Sequence, residues 1–124
     1  MRLLLDTQVM LWWLLDDPRL TESTRNLIRS HPCLVSVASV WEVAIKHRLG
    51  KLPVPPTLFR EHSLQAGASL LPVLDSHAIE TSLLPAVHED PFDRLMIAQA
   101  RLEGLMAVSA DRHWPCYDVS LHRV

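Results

Sequence analysis

The chain begins "MRLLLDTQVMLWWLLDDP" (residues 1–18), and how its first residues are read decides the fold. An apolar opening invites two readings, a secretory leader or a buried strand followed by a helix. Asp6 interrupts the run and no small-residue cleavage site follows, which argues against a leader. "RLLLD" (2–6) is then a run of strand length, apolar at consecutive positions. Strands covered on both faces, as in a parallel sheet, are apolar throughout instead of alternating. Residues 8–15 continue as a helical pattern.

Three further runs share this character: "CLVS" (33–36), "SLLPVL" (69–74) and "LMAVSA" (105–110). Helical patterns lie between them. Thr21 suits the N-cap of a helix over 22–30, and Ser36 or Ser39 that of a helix reaching Leu49, with Gly50 as its stop. "KLPVPP" (51–56) reads as a loop, because its prolines forbid a helix interior. Thr57 is expected to cap 58–67, Asp75 to cap 76–84, and Asp90 to cap 91–103, with Gly104 after the last turn. No repeat, low-complexity tract or linker divides the 124 residues, a length that fits one domain. The expected class is therefore α/β: a single three-layer domain over 1–124, with a central parallel sheet of four to five strands flanked by helices and right-handed crossovers.

Composition narrows the partners. Twelve basic and fourteen acidic side chains give a formal charge of −2, which argues against holding nucleic acid by bulk positive charge but leaves room for a local basic patch. Cys33 and Cys116 are isolated, so no disulfide framework is expected and a reducing cytoplasm is the better setting. No apolar stretch reaches the ~18 residues of a membrane span. The expectation is a soluble cytoplasmic protein.

In parallel α/β sheets ligands gather outside the carboxyl ends of the strands. Asp6 ends the first run, where it also reads as an N-cap. Asp111 follows the run 105–110, and by itself it reads more readily as a turn or cap residue. Glu42 lies in the helix after the second run. An (i, i+4) pair with Lys46 would be worth only ~0.2–0.5 kcal/mol. Its other helical neighbours, Ala38, Ile45 and Leu49, are apolar, a costly setting for a carboxylate.

The stretch "HEDPFDRLMIAQA" (88–100) holds Glu89, Asp90 and Asp93. Pro91 suits the first helical position, which puts Asp90 on the N-cap and leaves Glu89 outside in solvent. With Phe92 at 0° and a step of about 100° per residue, Asp93 lies near ~100°, beside Ala100 at ~80° and Ile97 at ~140°. Arg94 and Arg101 fall near ~180–200° on the same projection. Asp93 thus shares an apolar arc, either to complement the helix dipole or to face a site.

Together Asp6, Glu42, Asp93 and Asp111 fall at one edge of the expected sheet. Crowded carboxylates repel and some take up protons, unless a divalent cation relieves them. All-oxygen ligation suits Mg²⁺ or Mn²⁺. The seven histidines show no HExxH or His-x-His spacing, so a zinc site has little support. Hard cations held by carboxylates serve phosphodiester hydrolysis.

With these segments in view, the chain resembles the PIN-domain ribonucleases, and among them the toxin half of VapBC-type toxin–antitoxin pairs. The resemblance is carried by "LLLDTQVMLWWLLDDPRL" (3–20), "VSVASVWEVAIKHRLGKL" (35–52), "HEDPFDRLMIAQARLEG" (88–104) and "VSADRHWPCYDV" (108–119), in the family's order over more than half of the chain. It implies a PIN-like fold and a Mg²⁺- or Mn²⁺-dependent endoribonuclease. The same acids, Asp6, Glu42, Asp93 and Asp111, would be its catalytic metal ligands. It further implies a cognate antitoxin that lays an amphipathic arm in a groove and turns a basic side chain toward the acidic pocket, and homodimerisation through helices. One departure is Gln8, where similar sequences carry His or Asn.

For an RNA substrate, Lys46, His47, Arg48 and Lys51 in "IKHRLGK" (45–51) form a basic patch. Lys46, Arg48, Lys51 and Arg94 are the candidate phosphate contacts, although cations at a helix end also suit its dipole. Trp12 and Trp13 are adjacent and cannot share one helix face. One reads as core and the other as a floor for a partner groove, or both as core.

Two other readings compete. A receiver-like phospho-signalling domain would use Asp75 as acceptor beside a Mg²⁺ site. It would need a second acid after Asp6, where Thr7 stands, and a lysine after the run 105–110, where Asp111 stands. A pure binding module, with every acid a cap, leaves Glu42 and Asp93 unexplained among apolar neighbours.

Overall fold

The computed structural model describes residues 1–124. β1 (Leu3–Leu5) is followed by α1 (Thr7–Leu14) and α2 (Glu22–Ser30), then β2 (Cys33–Ser36) and α3 (Val37–Arg48). Next come α4 (Pro56–Gln65), β3 (Ser69–Leu71) and α5 (Asp75–Glu80), which runs into a 3-10 turn at Thr81–Leu83. α6 (Pro91–Glu103), β4 (Met106–Ser109), a second 3-10 turn at Trp114–Cys116 and β5 (Leu121–Arg123) complete the chain. The five strands form one sheet in the order β3-β2-β1-β4-β5, parallel at every pairing.

The continuous apolar strands have the cause expected of them, because successive side chains enter different cores. Leu3, Leu5, Val35 and Val108 pack with Val9, Met10, Ile28 and Phe59 from α1, α2 and α4. Leu4, Leu34 and Ala107 pack on the opposite face with Met96, Ile97 and Ala100 of α6 and with Trp114. A sheet buried on both faces needs no polar alternation, and the result is three layers.

Several boundaries differ from expectation. α4 begins at Pro56 with Pro55 at the N-cap and no side-chain cap, so Thr57 is already inside the helix. Proline suits that first position because its missing N–H would be unpaired there. Asp75 is likewise the first residue of α5, not its cap. The cap role falls to His77, whose Nδ1 accepts the Leu74 backbone N–H at 3.0 Å. β3 stops at Leu71 because Pro72 has no N–H for the ladder. β5 lies outside the four apolar runs. It is short and only partly buried, and it is held by backbone pairing to β4 at the sheet edge. No helix is long and apolar enough to cross a membrane.

Candidate active site

Parallel register carries the acids to one place. Leu5 pairs with Val35 on one side and with Val108 on the other, so Asp6 follows β1 beside Ser36 and Ser109. Asp6 caps α1: its Oδ1 accepts the Val9 N–H at 2.8 Å, while Oδ2 accepts from the Ser109 hydroxyl. The cap reading and the site reading are therefore both true of this residue. Glu42 projects from α3, where its Oε1 accepts the Thr7 hydroxyl at 2.6 Å and its Oε2 the Lys46 ammonium at 2.8 Å. Asp93 stands in the first turn of α6, with Oδ2 3.1 Å from His88 Nε2. Asp111 lies two residues beyond β4, where its Oδ1 accepts the His113 N–H at 2.7 Å.

All four acids line one cleft of about 460 Å³, together with Gln8, Trp12, Lys46, Lys51 and Asp90. Asp90 is the α6 N-cap, and one of its oxygens accepts the N–H groups of Phe92 at 2.9 Å and Asp93 at 3.0 Å. Glu89 is exposed, as expected.

The electrostatics follow from burial. Asp6 is only 5% exposed. Desolvation pushes its carboxyl up to about 7, and the neighbouring Asp93 and Glu42 push the same way, while the Ser109 and Val9 hydrogen bonds oppose them. Asp93 is raised to about 6, again first by desolvation, with Asp90 and Asp111 adding repulsion. The indole N–H of Trp114 lies toward the Asp93 carboxylate but outside hydrogen-bonding geometry, and it has no other partner. Lys46 is held more firmly protonated by its bond to Glu42. It is the one lysine or arginine bonded to any of the four acids; the other basic partners are His88 and His113.

This donor set fits a hard divalent ion. Carboxylates from four chain segments line the cleft, and Asp93 Oδ1 and Asp111 Oδ2 have no protein donor. Carboxylate oxygen is the preferred ligand of Mg²⁺ and Mn²⁺.

The remaining expected residues divide. Lys46 and Lys51 are exposed on the cleft wall, whereas Arg48 is exposed but lies off it. Arg94 is engaged away from the cleft. Its guanidinium donates to the carbonyls of Pro85 at 2.7 Å, Thr81 at 2.9 Å and Leu84 at 3.3 Å, and to the Tyr117 hydroxyl at 3.1 Å. These bonds engage both terminal nitrogens in pinning the segment before α6, and Arg94 does not line the cleft. Trp12 is core and also walls the cleft, with the Arg19 guanidinium 4.9 Å from its ring centre. Trp13 is half-buried and lines a separate, largely apolar cleft with Met10, Ile28 and Cys33. Asp75 is exposed after the edge strand β3 and outside the acidic cleft, which disfavours the phospho-acceptor reading.

Sequence reasoning missed the residues that hold the acids. His88 bridges Asp93 and Tyr117, and His113 contacts Asp111. Their rings stack at 4.7 Å with an interplanar angle of 14°. They are 25 positions apart (113 − 88), so no local spacing signals them.

A family model for the PIN domain matches residues 3–119. Among solved structures, the chain is similar to VapBC2 from Rickettsia felis bound to a promoter DNA fragment. The identity is 11% and the TM-score 0.74, with 99% of this chain and 98% of that one covered. It is also similar to DNA-bound VapBC from Salmonella typhimurium (15% identity, TM-score 0.71, 99% and 98% covered). A third match is VapC20 from Mycobacterium tuberculosis, a sarcin–ricin-loop-cleaving toxin (16% identity, TM-score 0.55, 85% and 86% covered). No curated protein matches the chain.

Proposed function

From the premise that the chain belongs to the PIN domain family, a family of nucleases, we propose that it is a Mg²⁺- or Mn²⁺-dependent endoribonuclease acting in the cytoplasm as the toxin of a toxin–antitoxin pair. The observation that carries the reading is the meeting of Asp6, Glu42, Asp93 and Asp111 in one cleft with lysines on its wall. The likeness to solved VapBC complexes supports a cognate antitoxin as partner. The cleavage of the sarcin–ricin loop by VapC20 supports RNA as substrate. A homodimer is part of the same proposal.

The four acids would hold the ion, which when bound lowers the pKa of water and offsets negative charge on the phosphodiester. The chain's own residues prepare that chemistry. Val9 and Ser109 fix the Asp6 carboxylate, and His88 fixes Asp93. Thr7 and Lys46 fix Glu42 in the same way. Lys46 and Lys51 draw the phosphate backbone to the cleft, where charge is otherwise negative. Contacts of this kind position RNA without reading its sequence. Gln8 is exposed on the same wall and supplies an amide donor and acceptor in place of the His or Asn of similar sequences.

The direct test is incubation of the protein with total RNA, with and without Mg²⁺ or Mn²⁺, followed by mapping of new ends. Discrete internal ends that need the metal are expected. Ends that form equally in a chelator overturn the metal mechanism, and an inert protein with folded spectra overturns the nuclease reading.

The basic patch gives a second expectation, read by salt dependence. Each phosphate contact to single-stranded RNA contributes about 0.7 to the slope of log K against log salt, so Lys46→Ala with Lys51→Ala should flatten it by roughly 1.4. Arg48→Ala should leave the slope unchanged. A slope indifferent to the double replacement removes these lysines from the RNA surface.

A further inference from the structure

The histidine pair beside the acidic cleft is not used by the proposed reaction beyond orienting its carboxylates. His88, His113 and Asp111 each offer one donor atom, and those atoms lie within 4.8 Å of one another. The His88 side chain is 10% exposed and Asp93 is hydrogen-bonded to it, while His113 and Asp111 are 35% and 38% exposed. Two imidazoles and one carboxylate make a donor set unlike the all-oxygen cleft next to it. Imidazole is a poor ligand for Mg²⁺ and a good one for zinc, cobalt and nickel. Two histidines, one carboxylate and an open water position form a four-coordinate arrangement that Zn²⁺ favours.

The distances permit it. Tetrahedral ligands at ~2.1 Å from an ion stand about 3.4 Å apart, so the three donors need only a modest inward shift. The nearly parallel rings must open so that both lone pairs face one point. His113 can do so because its ring is partly in solvent and its Nδ1 is engaged only by Asp111, itself one of the proposed ligands.

We propose that His88, His113 and Asp111 form a binding site for a borderline divalent ion, Zn²⁺ or Co²⁺, which shares Asp111 with the acidic centre. An ion held there withdraws Asp111 from the cleft and takes one His88 nitrogen from its present partner, Asp93 or the Tyr117 hydroxyl. The two sites therefore exclude each other, and a transition ion switches off the Mg²⁺-supported state. The site itself stands on the three residues alone; the exclusion rests on the reading that the four acids hold Mg²⁺.

Cobalt tests both parts, because four-coordinate Co²⁺ absorbs visible light far more strongly than six-coordinate Co²⁺. Titrating Co²⁺ into the full chain should give an intense visible band, and excess Mg²⁺ should shift the titration to higher cobalt. His113→Ala, at a partly exposed position, should fold with an unchanged melting temperature and weaken cobalt binding by at least about tenfold. His88→Gln should weaken it similarly. Asp6→Asn should keep the band while removing the competition by Mg²⁺. An intense band that survives loss of both histidines overturns the site. So does a weak six-coordinate spectrum that disappears with Asp6→Asn instead of His113→Ala, since the ion then lies among the carboxylates. A histidine-dependent band indifferent to Mg²⁺ supports the site and overturns the exclusion.

Discussion

Asp93→Asn is expected to lower RNA cleavage by orders of magnitude while leaving the metal-free protein at least as stable as the parent. The two acids of "DPFD" separate here because asparagine imitates a carboxylate as a cap but not as an anionic ligand. Asp93 Oδ1 has no protein donor, and its carboxyl is raised to about 6 by desolvation and by Asp90 and Asp111. Removing its charge relieves that cost and removes one ligand from the cleft. Asp90 by contrast serves two backbone N–H groups of α6. Asp90→Asn should therefore keep the fold and most of the activity, whereas Asp90→Ala should cost ~1 kcal/mol of stability. Melting temperature and cleavage rate for the three variants decide the matter. Cleavage abolished by Asp90→Asn and spared by Asp93→Asn would invert the assignment.

The second large effect is in the pH dependence of the metal-free fold. Asp6 at about 7 and Asp93 at about 6 both stand above the unfolded carboxyl value near ~3.9. Between these limits the folded chain holds protons that the unfolded chain has released. Stability then falls as pH rises through the window. At ~1.36 kcal/mol per pKa unit, Asp6 alone accounts for on the order of 4 kcal/mol across it. A bound cation displaces those protons, so Mg²⁺ should raise the melting temperature more at about pH 8 than at about pH 5. Thermal unfolding across that range, with and without Mg²⁺, reads both signs. A metal-free stability that climbs with pH through the window contradicts the burial argument, and Asp6→Asn should flatten the fall.

The layered sheet was legible because 3–5, 33–35 and 105–108 are apolar at every step, as strands of a doubly covered sheet are. The gathering of the four acids was legible because Asp6 and Asp111 follow strands, Asp93 stands in the first turn of a helix, and Glu42 sits among apolar helical neighbours. Three kinds of feature were not. β5, "LHR", carries no apolar run because an edge strand is held mainly by its backbone. α4 starts two positions and α5 one position before the expected boundary, since a proline or acid fits the first helical turn as readily as the cap. The bonds of Arg94 were not legible either, because a helical projection cannot show carbonyls arriving from Thr81, Leu84 and Pro85. The stacking of His88 on His113 is likewise a product of tertiary structure alone.

The strand order has a temporal side. β4 is made late in translation yet lies inside the sheet, between β1 and β5, and Ser109 closes on Asp6 across 103 positions of chain. A loop of that length is among the slower closures a small domain makes. Until β4 docks, Asp6 has no Ser109 to fix it and Asp111 has no place beside Asp93. The acids then remain dispersed along a chain that cannot gather an ion. On the proposed function, a nascent or partly unfolded copy lacks the gathered acids and so the means to cut RNA. On the same proposal, activity waits for β4 to dock, and a restraining partner meets a folded surface.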